Sequence, residues 1–240
     1  KLFYRRGSAL PVRASLLNRF LYSRLTGLIA NSQETARLVS ASGRLTAPEK
    51  MHIIPNGLEV AAFDAALLRT APRSGKGPLV IGNAGRLNRQ KGQKYLLYMS
   101  AELKRRGFPH SLLIAGGGEL AEELRALAEE LGLRVGNELN QGAEVCFTGF
   151  LEDMAPFWQN IDLFVLSSLW EGFGYVLTEA MLARKALVAF DCNSMPELVK
   201  PGLNGRLVAP PGAGESDAEV GRRLADCVAE LAASPEDLAR

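Results

Sequence analysis

Histidine is nearly missing from this 240-residue chain; His52 and His110 are the only two. Neither sits in a metal-ligand spacing with cysteine or acid, so no metal is expected. The three cysteines, Cys146, Cys192 and Cys227, are odd in number and far apart. That excludes a disulfide framework and a C-x-x-C redox pair. It reads as small buried hydrophobes in a reducing compartment, hence a cytoplasmic protein. No run reaches the roughly 18 apolar residues of a membrane span. Internal repeats, low-complexity tracts and a signal-peptide pattern are also missing. A net charge of +2 gives no reason to expect nucleic acid as a partner.

Acid is missing where base is concentrated. Residues 1–26 carry Lys1, Arg5, Arg6, Arg13, Arg19 and Arg24 with no Asp or Glu. The interleaved Leu16, Leu17, Phe20, Leu21 and Leu25 fit two readings. One is an amphipathic helix packed on the protein; the other is a basic surface for an anionic acceptor or for peripheral contact with the inner face of a membrane. The opening KLFYRRG, with no initiator Met, is expected to lie inside a longer chain.

What is present is a regular alternation. Hydrophobic residues are 47% of the chain, enough for a proper core. Short apolar runs at Leu79–Ala84, Ser111–Ala115, Glu144–Thr148, Leu163–Ser167, Ala186–Phe190 and Gly205–Val208 read as strands. Helical patterns separate them at Lys91–Arg106, Glu119–Leu131 and Met154–Asn160, and Ser216 to Glu219 form a capping box before another. Continuous apolar strands alternating with helices predict an α/β fold, a Rossmann-like doubly wound parallel sheet. Ligands of such sheets bind beyond the C-terminal strand ends. Ahead of it, Leu25–Ala30 and Met51–Ile54 read as strands around a helix at Gln33–Ser40. Residues 1–57 are therefore expected to be the remnant of an N-terminal domain, 58–76 a linker, and 77–240 the Rossmann-like domain.

The glycine-rich interruptions fall at those strand ends. Gly85-Arg86-Leu-Asn-Arg-Gln-Lys91-Gly92 follows the first strand and places a cationic pair before a helix, an arrangement suited to a diphosphate. The sequence Gly82-Asn-Ala-Gly85-Arg86 lacks the spacing of a GxGxxG fingerprint, which argues against NAD or FAD. Gly116-Gly117-Gly118 permits close backbone approach. The most telling stretch is WEGFGYVLTEAM, residues 170–181. Glu171 precedes the turn Gly172-Phe173-Gly174, and Glu179 follows it on a helix. Ionised carboxylates accept hydrogen bonds and donate none, so two of them beside an anion site suit hydroxyls flanking the diphosphate rather than the phosphates. That pattern fits a nucleoside diphosphate sugar. Capping or ion pairing of the glutamates is the plainer alternative.

EGFGYVLTEAM resembles the E-x7-E motif of retaining GT-B glycosyltransferases, the family 4-like "glycosyl transferases group 1". ANSQ at 30–33, IIPNGLEVAAF at 53–63, GRLNRQKG at 85–92, LLIAGGGE at 112–119, VCFTGFLEDM at 145–154 and MPELVKPGLNGRLV at 195–208 resemble the family's blocks, in its order. The resemblance implies a chain that is mostly the C-terminal donor-binding half. It implies transfer of a sugar from a nucleotide-diphosphate sugar to a saccharide or lipid-linked acceptor, with retention and without metal or other cofactor, as in lipopolysaccharide or other cell-surface glycan synthesis. It assigns Arg86 and Lys91 to the donor diphosphate, Glu171 to the donor sugar, Glu179 to the ribose, and Gly172, Phe173 and Gly174 to the sugar–phosphate loop. Gly85 and Gly117 match glycines lining the cleft. The sequence departs at Arg184-Lys-Ala186, where the family has Gly-x-Pro, and the segment Gly132–Gly142 is longer than usual. Two other functions stay open: a phosphorylase-like enzyme with pyridoxal phosphate, for which no lysine stands out, and a nucleotide-sugar-binding module without transferase activity.

Overall fold

The computed structural model describes residues 1–43, 45–73, 77–139 and 142–234. Its described strands form two parallel sheets. In the smaller sheet, β1 (Phe3–Arg6), β2 (Gly27–Ala30) and β3 (Met51–Ile53) lie in chain order, joined by α1 (Leu16–Ser23) and α2 (Gln33–Ala41). Leu28 and Ala30 of β2 and Ala36 and Val39 of α2 make its core with Tyr22, Leu25 and Leu45. Most of α1 lies outside that core. Leu25 is buried, but Leu16, Leu17, Phe20 and Leu21 are solvent-exposed, Leu16 at 87%. Of the two readings of this segment, the helix packed on the protein along its apolar stripe is not what forms: of α1 only Tyr22 enters this small core.

The stretch read as a linker holds a helix, α3 (Val60–Leu68). Phe63 and Leu67 pack on the larger domain, and the Leu67 carbonyl accepts Gln159 Nε2 at 3.0 Å.

The larger sheet starts with β4 (Leu79–Ala84), α4 (Gln93–Arg105), β5 (His110–Ala115), α5 (Ala121–Glu130), β6 (Val135–Gly136) and β7 (Val145–Gly149). It continues with α6 (Ala155–Asn160), β8 (Leu163–Leu166), α7 (Tyr175–Leu182), β9 (Ala186–Phe190), α8 (Met195–Leu198), β10 (Gly205–Val208) and α9 (Asp217–Ala232). Strand order is β10-β9-β8-β4-β5-β7-β6. Without the short edge strand β6, this is the doubly wound order in which the chain reverses direction across the sheet between its first and fourth strands, here β4 and β8.

Every strand of this sheet except the edge strand β6 feeds two cores. On β9, Ala186, Val188 and Phe190 face the layer of α4, α5 and α9, whereas Leu187 and Ala189 face α6, α7 and α8. The strand is apolar throughout because both faces are covered. The expected capping box is present: Ser216 Oγ accepts the Glu219 N–H, and the Glu219 carboxylate accepts the Ser216 N–H.

Helix α7 ends in a Schellman motif. The Arg184 N–H reaches the Met181 carbonyl and the Lys185 N–H the Ala180 carbonyl, both at 2.9 Å. The motif needs a left-handed residue at Arg184, whose φ is 55°. Here arginine stands where the resembled family has glycine. The left-handed conformation costs an L-residue about 1–2 kcal/mol, and glycine returns roughly 0.5–1 kcal/mol of that as unfolded-state freedom. Arg184→Gly is therefore expected to stabilise the chain by about 1 kcal/mol, raising Tm by about 2–4 °C in a thermal melt; a lower Tm would contradict this origin of the strain.

Candidate functional site

The C-terminal ends of the central strands open into a cleft of about 510 Å3. Its opposite wall comes from the ends of the small sheet: Gly7 after β1, Asn31 after β2 and Asn56 beyond β3. Gly85, Arg86, Lys91, Gly117, Glu171, Gly172, Phe173, Gly174 and Glu179 all line this cleft. Residues far apart in sequence meet here because β4, β5 and β8 are neighbours.

The loop after β4 is tied to the loop after β8. Asn88 Oδ1 accepts the Lys91 N–H at 3.2 Å, which shapes the 3-10 turn Arg89–Lys91. Ser167 Oγ donates to the Lys91 carbonyl at 3.0 Å, the Leu169 N–H to the Gln90 carbonyl at 2.8 Å, and Gln90 Nε2 to the Trp170 carbonyl at 2.8 Å. This lacing brings Lys91 Nζ onto Glu171 Oε1 as an ion pair. The two side chains are 18% and 11% exposed. Ser168 Oγ donates to the same carboxylate oxygen at 2.9 Å, and Ser194 Oγ to the Glu171 carbonyl at 3.2 Å. One cation expected at the diphosphate is thus held by one carboxylate expected at the sugar.

Among the described residues the other two charged groups have no side-chain partner. Arg86 is exposed, and among the described residues its guanidinium has no partner; only its backbone is used, the carbonyl accepting Gln93 Nε2 at 3.0 Å. Glu179, the fifth residue of α7, is half-buried, and its carboxylate likewise has no hydrogen-bond partner among the described residues. Burial pushes the Glu179 carboxyl above the usual carboxylate range.

Two glycines close the backbone around the cleft. A Cβ on Gly172 would lie 1.7 Å from the Gly7 carbonyl oxygen, so this turn lies directly on the small sheet's first strand end. A Cβ on Gly116 would lie 2.0 Å from the Gly85 oxygen. Gly116 is therefore the residue that lets the β4 and β5 loops touch. Gly117, the one singled out from sequence, has open space on its side-chain face. Gly174 is the left-handed N-cap of α7, whose first residues Tyr175 and Val176 also line the cleft and carry free N–H groups of the first turn. Phe173 is buried and meets Tyr175 edge-on, with ring centroids 5.8 Å apart.

Sequence reasoning missed Gly7, Asn31, Asn56 and Phe150. Asn31 and Asn56 fall inside ANSQ and IIPNGLEVAAF, so the signal was there as turn residues just past strand ends. Phe150 directly follows β7, borders the cleft and is 80% exposed; an aromatic after an apolar strand carries no signal separating cleft rim from core.

A family model described as "Glycosyl transferases group 1" matches residues 78–229. The chain belongs to that family. Its architecture matches GT-B glycosyltransferase structures. The crystal structure of Anabaena HepE in complex with UDP superposes with a TM-score of 0.79 at 25% identity, over 99% of this chain and 64% of HepE. The HepE complex with UDP-glucose gives a TM-score of 0.76 at 26% identity, over 99% and 64%. The putative glycosyltransferase EpsF of Bacillus subtilis is 29% identical over 193 residues, 78% of this chain and 47% of EpsF. The phosphatidyl-myo-inositol mannosyltransferase of Mycolicibacterium smegmatis is 35% identical over 159 residues, 65% and 38% of the two chains. The chain thus spans less than two thirds of the length of each of these relatives. Among the described residues, no helix is long and apolar enough to cross a membrane, and no three His, Cys, Asp or Glu side chains stand together as a metal-binding group.

Proposed function

We propose that this chain is the donor-binding half of a retaining glycosyltransferase whose donor is a uridine diphosphate sugar. The observation that carries it is the charge arrangement of the cleft: Arg86, which has no side-chain partner among the described residues, and ion-paired Lys91 line it together with the N-terminus of α7 and the carboxylates of Glu171 and Glu179. In this reading the donor diphosphate bonds to Arg86 and draws Lys91 from Glu171. Two negative charges compete with one for the lysine. Glu171, so released, accepts from hydroxyls of the transferred sugar, and Glu179 from the ribose hydroxyls. As the bond between the anomeric carbon and the diphosphate breaks, charge grows on the leaving oxygen, and fixed cations there stabilise the transition state more than the ground state. With those cations in place no metal is required. The uracil base is chosen from the ligand of HepE. The Glu171–Glu179 spacing, as an E-x7-E motif, carries the assignment of retention. A cell-surface glycan is the proposed product class, in line with the similarity to the lipopolysaccharide core mannosyltransferase LpcC of Rhizobium leguminosarum, 27% identical over 205 residues. The narrower alternative is a chain that binds the nucleotide sugar without transferring it.

Calorimetric titration with UDP, GDP and ADP in the absence of metal tests the donor site. UDP is expected to bind, and Arg86→Ala to weaken it at least about tenfold, the worth of one charge-assisted contact. Gly117→Ala is expected to weaken UDP binding with Tm unchanged, since its methyl would enter the cleft and touch no protein atom. Ionised Glu179 accepts with both oxygens and donates with neither, whereas protonation removes the charge and adds a donor, so affinity should be full above its raised pKa and decline as pH falls through it. Glu179→Gln should remove that part of the pH dependence. Failure of all three nucleotides to bind would sink the donor-site assignment.

The basic, apolar face of α1 supports peripheral contact with an anionic membrane as part of this function. Arg19 on α1 and Arg13 just before it are exposed, as are Leu16, Leu17, Phe20 and Leu21, and each surface cation adds about 1 kcal/mol of attraction. Co-sedimentation with phosphatidylglycerol-containing vesicles should be salt-sensitive and lost in the Arg13→Glu, Arg19→Glu double variant. Equal binding by that variant would refute the contact.

A further inference from the structure

Helix α2 belongs to the small sheet, yet its N-terminus is completed by a residue of the larger domain. Ser32 Oγ accepts the Thr35 N–H at 3.0 Å in the ordinary capping manner. The Gln33 and Glu34 N–H groups instead donate to the two carboxylate oxygens of Glu197, each at 2.9 Å. The helix's own first-turn acid does not compete, since the Glu34 carboxylate is taken up by Arg37. Glu197 lies on α8, and the residue preceding that helix is Ser194, whose hydroxyl holds the Glu171 carbonyl at 3.2 Å. Beside it, Thr35 Oγ1 approaches the Gly172 carbonyl at 3.4 Å. The first turn of α2 therefore touches the Glu171–Gly172 turn directly through Thr35 and indirectly through α8.

We infer that Glu197 is a positioning residue: its two-pronged grip on α2 seats α8, and through Ser194 fixes the backbone that presents Glu171 to the cleft. A carboxylate suits this task because each of its oxygens can take one N–H and neither carries a donor that would face them. Glutamine at the same place would aim an amide N–H at a backbone N–H. Glu197 stays outside the cleft lining. The inference builds on the donor-site assignment for its link to ligand affinity, while the structural coupling can be read without any ligand.

The test is a double-mutant cycle on the full chain with Glu197→Gln and Ser194→Ala, read by UDP calorimetry and by site-resolved amide hydrogen exchange without ligand. In Glu197→Gln, exchange is expected to quicken at Gln33 and Glu34 and also at residues 171–174. UDP affinity should fall about three- to tenfold. Ser194→Ala should quicken exchange at 171–174 with Gln33 and Glu34 unchanged, and the double variant should lose no more affinity than the weaker-binding single variant, because both act along one path. Faster exchange confined to residues 33–35, with UDP affinity unchanged, would overturn the inference and leave Glu197 as a helix cap alone. Additive losses of affinity would also overturn it. Should the unaltered chain bind no UDP, the donor-site assignment fails by itself, and the exchange at 171–174 in Glu197→Gln still decides whether Glu197 positions that turn.

Discussion

The ion pair between Lys91 and Glu171 joins the two loops on which the cleft depends. One follows β4, the other β8, and these are the neighbouring strands at which the chain reverses direction across the sheet. A cation and a carboxylate this little exposed would each be costly alone, and removing one would strand the other. Together, with Ser168 on the carboxylate, they hold a charged site ready in a chain that is otherwise ordinary in charge. Pairing lets acid and base stand side by side in the cleft, and in the proposed function the diphosphate takes the lysine from the glutamate.

Everything around the pair fixes its geometry. The backbone lacing of residues 90–91 to 167–170 leaves Lys91 and Glu171 little freedom. Gly172 lets the small sheet come within backbone contact, so the opposite wall is built from Gly7, Asn31 and Asn56. Gly116 does the same between the β4 and β5 loops. A site of this kind is set by where backbones can touch, and the side chains then have few places to go.

Much of the larger domain was legible in the sequence. The runs Leu79–Ala84, Ala186–Phe190 and Gly205–Val208 became strands with the expected ends, because a strand covered on both faces reads as an unbroken apolar run between turn residues. The smaller sheet was less legible. Phe3–Arg6 reads FYRR and is mostly exposed at a sheet edge, so it shows no alternation of buried and polar positions. Helix α3, VAAFDAALL, has no polar face to mark it and resembles a small-residue linker. β6 has only two residues and is stabilised by its neighbour rather than by any pattern of its own. The residues of the cleft could be nominated because glycine, arginine and glutamate at strand ends carry distinctive chemistry. Ion pairing of the glutamates was one of the open alternatives, but that Glu171 takes Lys91, and that Glu179 and Arg86 have no side-chain partner among the described residues, could not be read, since Lys91 and Glu171 lie 80 positions apart and only the strand order brings them together.

A crystal structure of this chain with UDP tests the central claim most directly. The account predicts the diphosphate between Arg86 and the first turn of α7, with Lys91 Nζ on a phosphate oxygen and no longer on Glu171, and with Glu179 bonded to ribose hydroxyls. A diphosphate bound away from Arg86, or a Lys91–Glu171 pair left intact beside bound UDP, would contradict it.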